Sequence, residues 1–334
     1  QQYFDSWHGA EYGMDDEPSQ DAYQPDPSPW RGRCAWCHNT YAFDKRLARL
    51  QGDTQIGNGI ETLFRDRRQA PAAIARDNLL PTDELVSVGI SCESCHFGGR
   101  EHALHDKEIR FSPEGAQIEA DERAPTLAGT RTDSRTINSI CAQCHSAPTE
   151  LYPNGGGTRN SSEALDLLSG GCATRIKCTD CHDPHIPGPG AMAPLQAKHV
   201  KVCLECHQNL ADPGLARAHS KHEAEVSCLD CHMPRIVQGV SSLLRSHRID
   251  SPSNPAMLER SVNACNLCHL DRSVAWTMRA LNESHGQAFI VPRGPEQPAA
   301  LQWLSSEQRI ERLTAAGALG ISPLGPRYLP TLLS

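Results

Sequence analysis

Aromatic residues make up only 5% of this 334-residue chain and hydrophobic residues 38%, a thin supply for a conventional core of that length. No run approaches the roughly 20 consecutive apolar residues that cross a bilayer as a helix, so no transmembrane segment is expected. Positive charge is scarce as well: 32 Lys and Arg stand against 40 Asp and Glu, a formal net charge of −8. That balance, without a polybasic stretch, argues against nucleic acid as a partner and against docking on an anionic membrane. The glycine-rich run NGGGTRN at 154–160 lacks the Lys and Ser/Thr that follow in a phosphate-binding loop. It is expected to be a flexible loop.

Cysteine and histidine are plentiful, at 15 and 16 residues. The pattern Cys-x-x-Cys-His occurs seven times, as Cys34/Cys37/His38, Cys92/Cys95/His96, Cys141/Cys144/His145, Cys178/Cys181/His182, Cys203/Cys206/His207, Cys228/Cys231/His232 and Cys265/Cys268/His269. Only Cys172 is left over, and it is read as a buried thiol. The pattern is the attachment signature of c-type haem: both thiols add across the porphyrin vinyl groups and the adjacent histidine becomes the proximal iron ligand. A zinc ribbon does not require histidine after every second cysteine, and a thioredoxin-type pair occurs once, beside a βαβ pattern. Seven covalently bound haem c groups are therefore expected. They would supply much of the buried apolar mass that side chains do not, so the haem-free polypeptide is expected to be largely unfolded. Haem c is attached outside the cytoplasm, which points to a periplasmic or extracellular, cell-surface location, with Gln1 read as a mature N-terminus left by signal-peptide removal.

Nine further histidines could complete the irons. His8, His102, His185, His199, His222 and His247 are taken first as distal ligands, with His105, His219 and His285 as additional candidates. Spacing constrains them. His185 follows His182 by three residues, and a chain covers at most about 3.3–3.6 Å per residue. It cannot pass around a porphyrin edge to the opposite face of the same iron, so as a ligand it serves another haem. The same holds for His102 and His222. Such cross-ligation ties neighbouring haems into one stack. A methionine ligand would raise a haem's potential, but Met233 adjoins His232 and meets the same steric objection, while Met14, Met192, Met257 and Met278 sit in no ligand context.

Along the chain, residues 1–33 read as a Pro- and Asp-rich N-terminal arm, 34–275 as a heptahaem cytochrome domain and 276–334 as a helical C-terminal segment. FDKRLARL and GIETLFRDRRQAPAAIARDNL, between the first two motifs, look like short helices. SVAWTMRALNESHG and SEQRIERLTAAGALG have helical periodicity, with Ser305 or Ser306 capping the second. A helix, the turn SPLGP and a second helix resemble one HEAT-type repeat, an architecture that needs several copies; a truncated array and a lone capping hairpin both remain open. The expected fold is mainly α with extensive loops, a multihaem cytochrome c fold around packed haem pairs with little or no β-sheet.

Several stretches, VGISCESCHFGGREH, KCTDCHDPH, SCLDCHMPR, SHRI and NACNLCHLDRSVAW, resemble multihaem cytochromes related to the tetrahaem cytochrome of nitrifying bacteria and to hydroxylamine oxidoreductase, especially members fused to HEAT or tetratricopeptide repeats. The resemblance covers about residues 85–320. It implies a helical, loop-rich fold around paired haems, with His102, His185, His222, His247 and the N-terminal His8 as distal ligands. The lysine-bearing motif of nitrite-reducing relatives is missing here, and Tyr152 is the nearest counterpart of the tyrosine that hydroxylamine oxidoreductase cross-links to haem.

Three functions follow as expectations. The first is an electron carrier, with closely packed, mostly bis-histidine haems conducting between extracytoplasmic redox proteins or other cytochromes. The second is an enzyme acting on a small nitrogen or sulfur compound at one five-coordinate haem, with His105 or His219 as proton donor. The third is a subunit of an extracellular cytochrome filament, joined by the N-terminal arm.

Overall fold

The computed structural model describes residues 35–41, 85–96, 99–107, 134–146, 149–172, 175–185, 192–239 and 242–332. The arm with His8, the first cysteine Cys34 and the two helices expected within 43–79 lie outside these residues. The chain divides into two units ahead of Thr149, a division that the sequence does not signal.

In the first unit, the single turn α1 (Ala35–His38) runs directly into β1 (Asn39–Tyr41), which pairs antiparallel with β2 (Leu85–Val88). Because β1 leaves the first motif and β2 leads into the second, their register, Asn39 opposite Val88, brings the two motifs side by side. Thr40 pins them. It is 1% exposed, its Oγ1 donates to the Gly89 carbonyl (3.0 Å) and accepts from the Ser91 amide (2.9 Å), and it lies 2.7 Å from the Ser94 hydroxyl inside the second motif. Helices α2 (Gly99–His105) and α3 (Ser134–Ala142) complete the described part of this unit.

The second unit opens with α4 (Glu163–Leu168) and then carries α5 (Cys178–Cys181), α6 (Met192–Cys206), α7 (Pro213–Ser220) and α8 (Cys228–His232). A two-stranded antiparallel sheet of β3 (Arg235–Gln238) and β4 (Leu243–Arg245) follows. Then come α9 (Pro255–Arg260), α10 (Val274–His285), α11 (Ala299–Leu304), α12 (Arg309–Ile321) and α13 (Gly325–Leu332). The fold is mainly helical and loop-rich, with two small sheets among the described residues. No helix among these residues is long and apolar enough to cross a membrane.

Capping chemistry explains several boundaries. Asp212 accepts the Leu215 amide (2.9 Å) with Pro213 behind it, starting α7, and Lys221 ends that helix in the left-handed region (φ 59°). Ser273 accepts the Trp276 amide to start α10, and Gly286 (φ 63°) ends it. The cap expected at Ser305 or Ser306 is not used as such. α12 starts at Arg309 after Gln308, because Ser305 closes α11 through its hydroxyl to the Leu301 carbonyl (2.8 Å).

The second unit has a side-chain core of its own. Ile236, Val262 and Leu270 from the motif-bearing segments cluster with Trp303, Ala315 and Leu319 from the C-terminal helices, all at most 2% exposed. The C-terminal helices thus share a core with the segments around the sixth and seventh motifs. Gly317 makes the approach possible: a Cβ there would lie 2.7 Å from Leu243 Cδ1 on β4. The loop at 154–160 is pinned, contrary to the flexibility expected. The Gly157 amide donates to buried Asp166 (2.9 Å) and the Asn160 amide to the Gln238 carbonyl (3.2 Å). Glycine is needed at 157 because a Cβ would meet Ser162 Oγ at 2.2 Å.

Candidate haem sites

The described attachment motifs each contain or end a helical turn. The histidine amide donates to the carbonyl of the first cysteine four residues back in His96→Cys92 (2.9 Å), His145→Cys141 (3.0 Å), His182→Cys178 (2.9 Å), His207→Cys203 (3.0 Å) and His269→Cys265 (3.0 Å). In such a turn, residues i, i+3 and i+4 share a face. The two thiols and the imidazole therefore project to the same side, as one porphyrin edge and its iron require. In the fourth and sixth motifs an aspartate between the cysteines fixes the turn. Asp180 accepts the Lys177 amide and Asp230 the Ser227 amide, each at 2.8 Å.

In the first unit, the sequence reading assigns Cys37, Cys95 and Cys144 to thioether bonds. Two of these sulfurs are engaged with protein. Cys37 Sγ donates to the Cys144 carbonyl and Cys144 Sγ donates to the Cys37 carbonyl, each at 3.9 Å. A thioether sulfur has no proton to donate, so this reciprocal pair belongs to the thiol form and must be exchanged for carbon–sulfur bonds on attachment. The pair also sets the first and third motifs against each other, 107 residues apart in sequence. Cys95, in the second motif, is half-buried, and its amide closes on the Cys92 carbonyl (3.1 Å).

Four imidazole pairs occur among the described residues of the second unit, each containing a motif histidine. His232 faces His219 (centroids 6.2 Å apart, planes at 8°), His269 faces His222 (6.1 Å, 43°), and His182 lies 6.0 Å from both His247 (23°) and His199 (53°). An imidazole nitrogen sits about 2.0–2.1 Å from the metal it ligates, so two imidazoles across one iron hold their ring centres about 6 Å apart. The observed separations match that span, and they also fall within the range of ordinary ring–ring pairs.

Tautomers agree with this geometry. A carbonyl accepts only from N–H, so a ring whose Nδ1 bonds a carbonyl keeps its lone pair on Nε2. Nδ1 donates to a backbone carbonyl in His232 (Asp250, 2.9 Å), His222 (Ser220, 2.7 Å), His247 (Arg245, 3.2 Å) and His102 (Lys107, 2.8 Å). In His199 it is Nε2 that donates, to the Cys181 carbonyl (3.0 Å). His285 has both nitrogens engaged, Nε2 with the His219 carbonyl (3.0 Å) and Nδ1 with the Ser284 hydroxyl (2.7 Å). Burial, and then the neighbouring His232, His285 and His207, lower the pKa of His219. Burial, followed by His222, lowers that of His269. Both rings are thereby held toward the neutral form that binds metal.

The cysteines of the second unit form a contiguous series. Cys203 and Cys228 are hydrogen-bonded to each other, so one thiol is pushed up and the other down, and Cys203 also senses Cys181 and Cys172. Cys231 senses Cys268, and Cys265 senses Cys231. The fourth to seventh motifs thus follow one another at close range. Among the described residues, no group of three or more His, Cys, Asp or Glu converges as a cage for a single metal ion. The donor set fits haem c, with two thiols and one imidazole per turn, and a second imidazole about 6 Å from the motif histidine in the fourth, sixth and seventh motifs.

Other sequence-derived candidates fall elsewhere. His105 and His185 are exposed, as are His219 and His222 of the ring pairs above; among the described residues no second imidazole stands at this spacing from His207. Cys172 is half-buried, not buried. Met257 and Met278 are core residues, 7% and 2% exposed. Tyr152 is in the core too, its hydroxyl donating to the Ile236 carbonyl. The residues missed by sequence reasoning are Asp230, Arg245 and Asp250, which hold the sixth-motif turn, His247 and His232 through hydrogen bonds. A repeated Cys-x-Asp-Cys-His in the fourth and sixth motifs was the available signal for the first.

Comparison with known proteins agrees. A family profile for cytochrome c552 matches residues 216–290, and one for a doubled CXXCH motif matches residues 171–212. No curated protein and no solved structure matches the chain. Both family matches lie in the second unit, over the same turns and ring pairs, and together they support a multihaem c-type cytochrome involved in electron transfer.

Proposed function

We propose that this chain is a heptahaem electron conductor, with bis-histidine irons, working between redox partner proteins outside the cytoplasm. Bound haem supplies the one-electron iron couple. The chain's residues hold it in place and saturate it. Cys178 and Cys181, Cys203 and Cys206, Cys228 and Cys231, and Cys265 and Cys268 carry four of the groups in the second unit. His219 is the distal partner of His232, His222 that of His269, and His247 that of His182. His247 is preferred to His199 because its lone pair is on Nε2, whereas His199 spends Nε2 on the Cys181 carbonyl.

The observation that carries this reading is the set of ring pairs at 6.0–6.2 Å, each with one member inside an attachment turn. His219 and His222, three residues apart, face different motifs, so a single short segment ties two neighbouring irons. Two imidazoles per iron give low potentials and no open position for substrate. The test is twofold. Intact-mass analysis of the mature holoprotein is expected to show seven added haems. The oxidised protein is expected to be wholly low-spin and unchanged by nitrite, hydroxylamine or, once reduced, carbon monoxide. A high-spin fraction of about one seventh that responds to these ligands would replace the carrier with an enzyme.

A further inference from the structure

We infer that Arg245 is a positioning residue shared by two haem sites, those of the sixth and the fourth motif; the inference rests on the bis-histidine reading above. The Arg245 side chain is 17% exposed and meets the sixth-motif turn at three points. Its Nη1 donates to the carbonyls of Leu229 (2.8 Å) and Met233 (3.1 Å), and its Nη2 donates to Asp230 Oδ1 (2.7 Å). The other Asp230 oxygen accepts the Ser227 amide (2.8 Å) and hydroxyl (2.7 Å). The guanidinium fork thus brackets the turn that presents His232, a geometry lysine cannot reproduce.

The backbone of the same residue serves another ring. The Arg245 carbonyl accepts Nδ1–H of His247 (3.2 Å), whose ring stands 6.0 Å from His182 of the fourth motif. Five residues beyond Arg245, the Asp250 carbonyl accepts Nδ1–H of His232 (2.9 Å), closing the connection back to the sixth motif. With the side chain anchored at three points, the Arg245 carbonyl is fixed, and with it the plane of His247. When the side chain is removed, the sixth-motif turn and the His247 ring loosen together. His269 and His222 make no contact with this segment among the interactions described above.

The experiment compares Arg245→Met with Asp230→Asn in the full-length, haem-loaded protein. Low-temperature EPR of the oxidised state and a spectroelectrochemical titration provide the readouts. Arg245→Met is expected to move two of the seven low-spin components and two midpoint potentials, Asp230→Asn only one of each. A change in one component, in none or in all seven with Arg245→Met overturns the inference. If Arg245→Met yields no holoprotein, Arg245→Lys, which keeps the charge but not the fork, is expected to move the same two components by less. An unchanged Arg245→Lys spectrum overturns it. Failure of the bis-histidine reading shows separately, as high-spin signals in the unsubstituted protein.

Discussion

His232 illustrates what each ligand requires. Its own turn supplies the reach, the Asp250 carbonyl sets its tautomer, and His219 stands opposite at 6.2 Å. Removing a distal ring should therefore act on one iron. His219→Ala and His222→Ala are each expected to convert about one seventh of the haem to a high-spin form that binds carbon monoxide, visible in the reduced spectrum. His222→Met is expected instead to keep that iron low-spin and raise one midpoint potential in a redox titration, because thioether ligation favours the reduced state. His285 is expected to behave differently. Its ring holds the His219 carbonyl and carries no lone pair directed at an iron, so His285→Ala should leave the protein low-spin.

Helix α7 shows how an element positions ligands. It carries His219 near its end and delivers His222 just beyond, yet none of its residues is buried by side chains. Its hold is the Asp212 cap, so Asp212→Ala is expected to cost about 0.5–2 kcal/mol of local stability, measured as faster amide exchange over 213–222. At the other end of the unit, α13 starts against the preceding helix. A Cβ on Gly325 would lie 2.4 Å from the Leu319 backbone carbonyl oxygen, and backbone cannot swing aside as a side-chain tip can. Gly325→Ala is expected to destabilise by about 1–3 kcal/mol, seen as a lower thermal unfolding midpoint with the haem spectrum at low temperature unchanged.

Across the second unit as a whole, burial is uneven. The C-terminal helices and β3 own a side-chain core, whereas residues 201–225 are almost all exposed or half-buried in the polypeptide alone. Removal of haem should therefore not unfold this unit evenly. In haem-free chain, exchange protection is expected to vanish across 178–232 and to persist in α11 and α12, a more graded loss than the largely unfolded state expected from composition. The sequence by itself pointed to covalent haem c and to its attachment cysteines, because Cys-x-x-Cys-His is a local pattern: positions i, i+3 and i+4 of one turn share a face whatever surrounds them. It also marked α10 through the helical periodicity of SVAWTMRALNESHG, while the caps at Ser273 and Gly286 were read only from the structure. Only the tertiary structure decided which ring faces which, and that Cys37 meets Cys144. His219 and His222 are three residues apart but face His232 and His269, and that choice depends on where α7 lies against two turns distant in sequence. The roles of Arg245 and Asp250 were hidden for the same reason, as a hydrogen bond across many residues leaves no periodicity to read.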